Sequence, residues 1–128
     1  MRENTRIYWV LTGLFCLIMA AGGAANLLRA APQVDVMETL GYPAYLMTIL
    51  GVAKLLGVAA LIAPGRPILK EWAYAGFTID MLGATASHAF VGDPIVATLV
   101  PLVVLSVGAG SYYSRPTDRR PPGAPISA

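Results

Sequence analysis

Four long apolar stretches, at residues 7–28, 44–63, 72–91 and 94–113, divide the chain, and charged or breaker residues gather between them. Each is about 20 residues long, the length at which a helix crosses a hydrocarbon layer about 30 Å thick. Aromatic pairs mark their ends: Tyr8 and Trp9 open the first, Trp72 and Tyr74 the third, and Tyr112 and Tyr113 close the fourth. Such side chains sit well at the headgroup level. Pro32, Gly41-Tyr42-Pro43, Pro64-Gly65 and Gly92-Asp93-Pro94 supply the turns. Inside the first connection, Val34, Met37 and Leu40 are spaced as on a short helix lying at the interface. The pattern predicts an all-α integral membrane protein, an antiparallel four-helix transmembrane bundle over residues 1–114. From Ser114 onward there are four prolines and three arginines. Such a stretch has too little apolar side chain to bury, so residues 115–128 are expected to form a disordered tail.

Composition agrees with the pattern. The 128 residues are 56% hydrophobic and 12% charged, against about 25% charged in an ordinary soluble domain. The chain has room for a single domain. Its basic residues lie in alternate polar segments: Arg2 and Arg6, then Arg66 and Lys70, then Arg115, Arg119 and Arg120. The first and third connections are poor in basic residues, so the positive-inside rule places both termini in the cytoplasm. A multi-pass topology follows as an expectation. The net charge of +2 thus speaks of topology and gives no reason to expect nucleic acid. The first apolar run exceeds the 7–15 residues of a signal-peptide core, so an uncleaved first helix is expected.

Most chemistry is excluded by count. Cys16 and His88 are the single cysteine and histidine, which rules out a His/Cys zinc cage or a CxxC redox pair within one chain. Cys16 reads as a small buried hydrophobe. Phosphate-binding glycine loops, nucleophile elbows and HExxH motifs are absent. One histidine per chain also argues against haem. No cofactor is predicted, although a quinone is compatible with the composition.

What remains is the third apolar stretch with its neighbours. Asp80 lies near its middle and His88 two turns on, while Lys54 interrupts the centre of the second stretch. Buried charges within a bilayer face the interior and find partners. Lys54 and Asp80, at similar depth on antiparallel helices, are the obvious pair. A clamp between helices and the wall of a polar cavity both remain open. Asp80, Gly83 or Ala84, and Ser87 share one helix face, with Gly76 below them. Asn26, Glu38 and His88 are candidates to converge near the outer leaflet. Gly13, Gly22, Gly23, Gly51, Gly57, Gly76 and Gly83 read as sites where helices approach closely.

Gly41-Tyr42-Pro43, Lys54 with Gly57, Pro64, Glu71-Trp72-Ala73-Tyr74-Ala75-Gly76, Asp80, Gly83-Ala84 and Ser87-His88 stand in an order that resembles the DoxX-like family of small bacterial inner-membrane proteins. The resemblance covers roughly residues 8–115. It implies a four-helix membrane protein in the DoxX, DoxD and SURF-four-like grouping. Some DoxX-named proteins are membrane partners of a second subunit in thiosulfate:quinone oxidoreductase, which implies a hypothesis of quinone contact. The resemblance supplies no catalytic residues. The leading expectation is a membrane subunit, or an assembly or anchoring partner, in a redox or envelope-stress setting. The alternatives are an enzyme or oxidoreductase component binding a quinone-like or other lipid-soluble ligand at Lys54, Asp80 and His88, and an oligomeric transporter of small molecules or protons. Whether the chain is an enzyme stays open. Expected partners are the lipid bilayer, a soluble or membrane protein, and a further copy of the chain.

Overall fold

The computed structural model describes residues 5–122. Among them are five α-helices: α1 (Thr5–Leu27), α2 (Ala31–Leu40), α3 (Tyr45–Ile62), α4 (Pro67–Phe90) and α5 (Ile95–Tyr113). A 3-10 turn, Thr117–Arg119, follows, and no strand is present among the described residues.

The boundaries follow from the breakers. The short α2 has a proline in its first turn and ends on Gly41, whose φ of 79° no β-branched residue would accept. There the Gly41 and Tyr42 amides donate to the carbonyls of Glu38 and Met37. Ala63, just before Pro64, is extended and ends α3. Helix α4 begins at Pro67, earlier than residue 72, where the third apolar stretch was expected to start. Proline needs no amide partner in a first turn, and Arg66 enters left-handed with φ 54°. Lys70 and Glu71, expected in a loop, are therefore helical.

Helices α1, α3 and α5 are each long and apolar enough to cross a membrane. Helix α4 is 24 residues long, but Lys70, Glu71, Asp80 and His88 make it more polar. Helix α1 packs on α3 and α5, and α4 packs on the same two helices. At the centre lie Phe15, Cys16, Met19, Leu61, Tyr74, Phe77 and Met81. The Phe15 and Phe77 rings meet edge to face, 5.2 Å between centroids, an arrangement the ring quadrupoles favour. Leu17, Leu56, Ile79, Phe90 and Val103 point outward and are exposed, as side chains facing lipid would be.

Glycine sets the closest approaches. A Cβ on Gly51 would lie 2.8 Å from the Gly23 carbonyl oxygen, and one on Gly23 would lie 3.2 Å from that of Gly51. Gly57 makes room for the Phe77 ring, and Gly22 lies under the Lys54 ammonium. Around Gly13, Gly76 and Gly83 there is nothing within 4 Å of such a Cβ. Those three were expected at helix contacts, but each faces open space, Gly83 that of a cavity between the helices. Gly108 against Phe15 and Gly110 against Leu11 are packing positions the sequence reading missed.

Residues 115–122 do not hang free as the expected start of a disordered tail. Arg119 donates to the Leu61 carbonyl at 2.7 Å and to the Tyr8 hydroxyl at 3.3 Å. Arg115 pairs with Glu71 and lies over the Tyr112 ring, 3.8 Å from its centroid. Composition predicted disorder because little here is apolar; the arginines instead find carbonyls, a carboxylate and ring faces at the helix ends. The rest of the expected tail, residues 123–128, lies outside the described residues.

Candidate functional site

Lys54 projects from the middle of α3 and Asp80 from the middle of α4, and Lys54 Nζ stands 3.9 Å from Asp80 Oδ2. Both side chains are mostly buried, 15% and 19% exposed. This is the loosest separation at which an ion pair is recognised, and the contact is no hydrogen bond. Asp80 Oδ2 is buried with no hydrogen-bond partner among the described residues. A clamp between helices would hold its charges closer and satisfy them.

Beside Lys54 opens a cavity of about 260 Å³. Its polar lining is Asn26 from α1, Gln33 from α2, Tyr42, Lys54, and Ser87 with His88 from α4. Its apolar lining includes Val36, Met37 and Leu40, which the short α2 lays across it, and Leu46 and Leu50 of α3. Gly83 and Ala84 complete the α4 side. The interfacial helix expected from Val34, Met37 and Leu40 thus serves as a wall of the site.

Two hydrogen bonds organise the outer part of that wall. The hydroxyls of Tyr42 and Ser87 are 2.5 Å apart. His88 Nδ1 is 2.6 Å from Asp93 Oδ2. With Nδ1 donating to that carboxylate, Nε2 is the ring nitrogen left for other work. Gly92, at φ 74°, turns the chain sharply after α4. The Asp93 amide then reaches back to the His88 carbonyl at 3.0 Å, which brings its carboxylate to the imidazole.

Of the six candidate polar residues, Asn26, Lys54, Ser87 and His88 share this cavity. Asp80 stands behind Lys54, outside the lining. Glu38 does not join them. It is exposed on α2, because the half-buried side of that short helix, facing the cavity, is taken by Val36, Met37 and Leu40. Asp93 holds His88 in its place. A signal for this was present, a histidine five residues before an aspartate that follows a helix-ending glycine.

The opposite end of the molecule carries a second polar cluster that sequence reasoning did not anticipate. The Ser111 hydroxyl lies 2.5 Å from that of Thr12 and 2.8 Å from that of Tyr74, all buried. Lys70 Nζ donates to the carbonyls of Ala60, Ala63 and Gly65 at the end of α3. Tyr112 donates to Glu71, 2.8 Å away. Here the hydroxyls pair with one another, Tyr112 with a carboxylate, and Lys70 with the carbonyls at the end of α3, so the cluster ties α1, α3, α4 and α5 together.

A sequence model of the DoxX-like family matches residues 10–111. The chain belongs to the DoxX-like family. Comparison with curated proteins and with solved structures returns no match. In this DoxX-like protein every residue lining the cavity falls inside the matched range, and so do Asp80 and Asp93. Arg115 and Arg119 fall beyond it. The cavity therefore belongs to the part of the chain that the family model covers.

Proposed function

We propose that this DoxX-like protein is a four-helix bundle of the bacterial inner membrane, with both termini cytoplasmic, that binds the polar headgroup of a lipid-soluble small molecule. The observation carrying this reading is the cavity that gathers Asn26, Lys54, Ser87 and His88 beneath α2. Its volume, about 260 Å³, falls just below the roughly 300–1,000 Å³ of pockets that enclose a whole ligand. It suits a headgroup whose apolar tail remains in lipid. The lining donors could meet the carbonyl oxygens of a quinone-like ring. His88, oriented by Asp93, could accept or return a proton through Nε2.

The bundle and its orientation draw support from which ends meet. Tyr8, Leu61, Glu71 and Arg119 come together at one end of the molecule, and Asn26, Tyr42 and His88 at the other. That is the alternation an up-and-down bundle requires. Arg66 and Lys70 lie at the same end as Arg115 and Arg119, so the basic segments fall on one face. In inverted membrane vesicles, trypsin should trim the chain after Arg119, the arginine of this segment that no proline follows, and in right-side-out vesicles it should not. Glu71→Gln, which removes the carboxylate from Arg115, should speed that trimming severalfold as read by mass spectrometry. Cleavage from the right-side-out face would refute the orientation.

Ligand binding is tested with protein purified in mild detergent, by native mass spectrometry, an absorption spectrum, and lipid and quinone extraction. A stoichiometric bound molecule is expected, and Lys54→Met should lower its retention by at least about tenfold while leaving the fold intact. Equal retention by wild type and variant would remove Lys54 from the site. An empty protein that copurifies with a soluble subunit would favour the anchoring role instead.

A further inference from the structure

The cavity's charge pattern narrows the ligand, an inference that rests on the binding reading above. No carboxylate lines the cavity. Asn26 and Gln33 offer amide donors, Tyr42 and Ser87 offer hydroxyls, and Lys54 offers an ammonium. The acids nearby are placed elsewhere: Asp93 is held by His88, Glu38 is exposed, and Asp80 stands behind Lys54. Lys54 Nζ makes no hydrogen bond to any described residue, and 3.9 Å separates it from its nearest acid. A cation at this depth, with three N–H donors facing a cavity, calls for an acceptor of opposite charge.

We infer that the ligand is a lipid-soluble carboxylic acid, bound as its carboxylate by Lys54. The acid reaches the site through lipid in its neutral form, because an ionised carboxylate crosses hydrocarbon poorly. Lys54 passes a proton to Asp80 Oδ2, 3.9 Å away and accepting no hydrogen bond, and takes the ligand's acid proton in its place. One O–H bond breaks on the ligand and one forms on Asp80. The new carboxylate takes the ammonium that Asp80 releases, and the net charge of the site is unchanged. Met37, Leu40, Leu46 and Leu50 cover the first carbons of the chain. Asp80 is therefore the site's proton acceptor, acting through Lys54 without lining the cavity.

The test compares dodecanoic acid with methyl dodecanoate, which has the same chain and no ionisable proton, on the full-length protein in phosphatidylcholine nanodiscs. Wild type should bind the acid at least about tenfold more tightly than the ester, and Lys54→Met should bring the ratio close to one. Isotope-edited infrared spectra with carboxyl-labelled dodecanoic acid supply a readout that needs no variant at Lys54. The bound ligand should absorb as a carboxylate, while a protonated-carboxyl band appears that Asp80→Asn removes. A ligand that stays protonated when bound overturns the inference even if Lys54→Met fails to fold. Equal binding of acid and ester also overturns it while leaving the cavity reading in place, as expected of a neutral acceptor such as a quinone ring. If neither compound binds, and neither shields a cysteine placed at Met37 from maleimide, the cavity reading falls too.

Discussion

Gly51→Ala and Gly76→Ala, the same chemical change on α3 and α4, should differ in their effect on stability. At Gly51 the added Cβ would lie 2.7 Å from Leu27 Cγ and 2.8 Å from the Gly23 carbonyl oxygen. The leucine side chain can swing aside, but the carbonyl belongs to the backbone of α1. It can retreat only if α1 and α3 separate along their contact. Overpacking of that kind destabilises by about 1–3 kcal/mol, and in lipid no hydrophobic drive returns the helices to contact. At Gly76 the new methyl meets nothing within 4 Å. There alanine removes a backbone-entropy penalty of roughly 0.5–1 kcal/mol, so the variant should be unchanged or slightly more stable. Unfolding by dodecyl sulfate in mixed micelles, followed by circular dichroism, would measure both. Equal effects at the two sites would refute the assigned α1–α3 contact.

These glycines show where the sequence was legible and where it was not. Small residues at helical spacing announce that some surface admits close approach, but Gly13, Gly76 and Gly83 look the same in sequence as Gly23 and Gly51. Which of them face a neighbouring helix depends on the rotation of each helix about its axis, and an apolar residue may face lipid or core with equal ease. The apolar stretches themselves were legible, because length and hydropathy are local properties. Lys54 and Asp80 were legible for the opposite reason: a charge in an apolar run has few places to go. The partner of His88 was harder. Glu38 and Asp93 both flank the outer end, and the turn at Gly92 decides between them. The arginines after α5 were least legible, since their partners are backbone carbonyls and ring faces, which composition does not register.

Lys70→Met should be the most damaging single change among the lysines, with an expected loss of about 3 kcal/mol. Its ammonium is fully buried and donates to the carbonyls of Ala60, Ala63 and Gly65. Helix α3 ends at Ile62, so these acceptors belong to its last turn and the loop just after it, where carbonyls lack intrahelical donors. A cation there also complements the negative end of the helix dipole. Methionine keeps the length and the apolar stem but leaves all three oxygens without that donor, the Ala60 carbonyl in the buried interior and those of Ala63 and Gly65 partly buried. The turn between α3 and α4 should loosen as well, exposing the backbone around Gly65 and Arg66 to faster cleavage by proteinase K. Lys54→Met is the internal comparison. Lys54 makes no hydrogen bond to any described residue and meets Asp80 only at 3.9 Å, so its loss should affect stability far less. Sequence reading treats the two residues in the reverse order, Lys70 as a loop charge and Lys54 as the anomaly. Their environments explain the reversal: one ammonium is consumed by the fold, and the other is held facing a cavity with its donors unused. If the two methionine variants lost the same stability in the dodecyl sulfate titration, Lys54 would be a structural clamp, and the argument for a ligand at its ammonium would lose its main support.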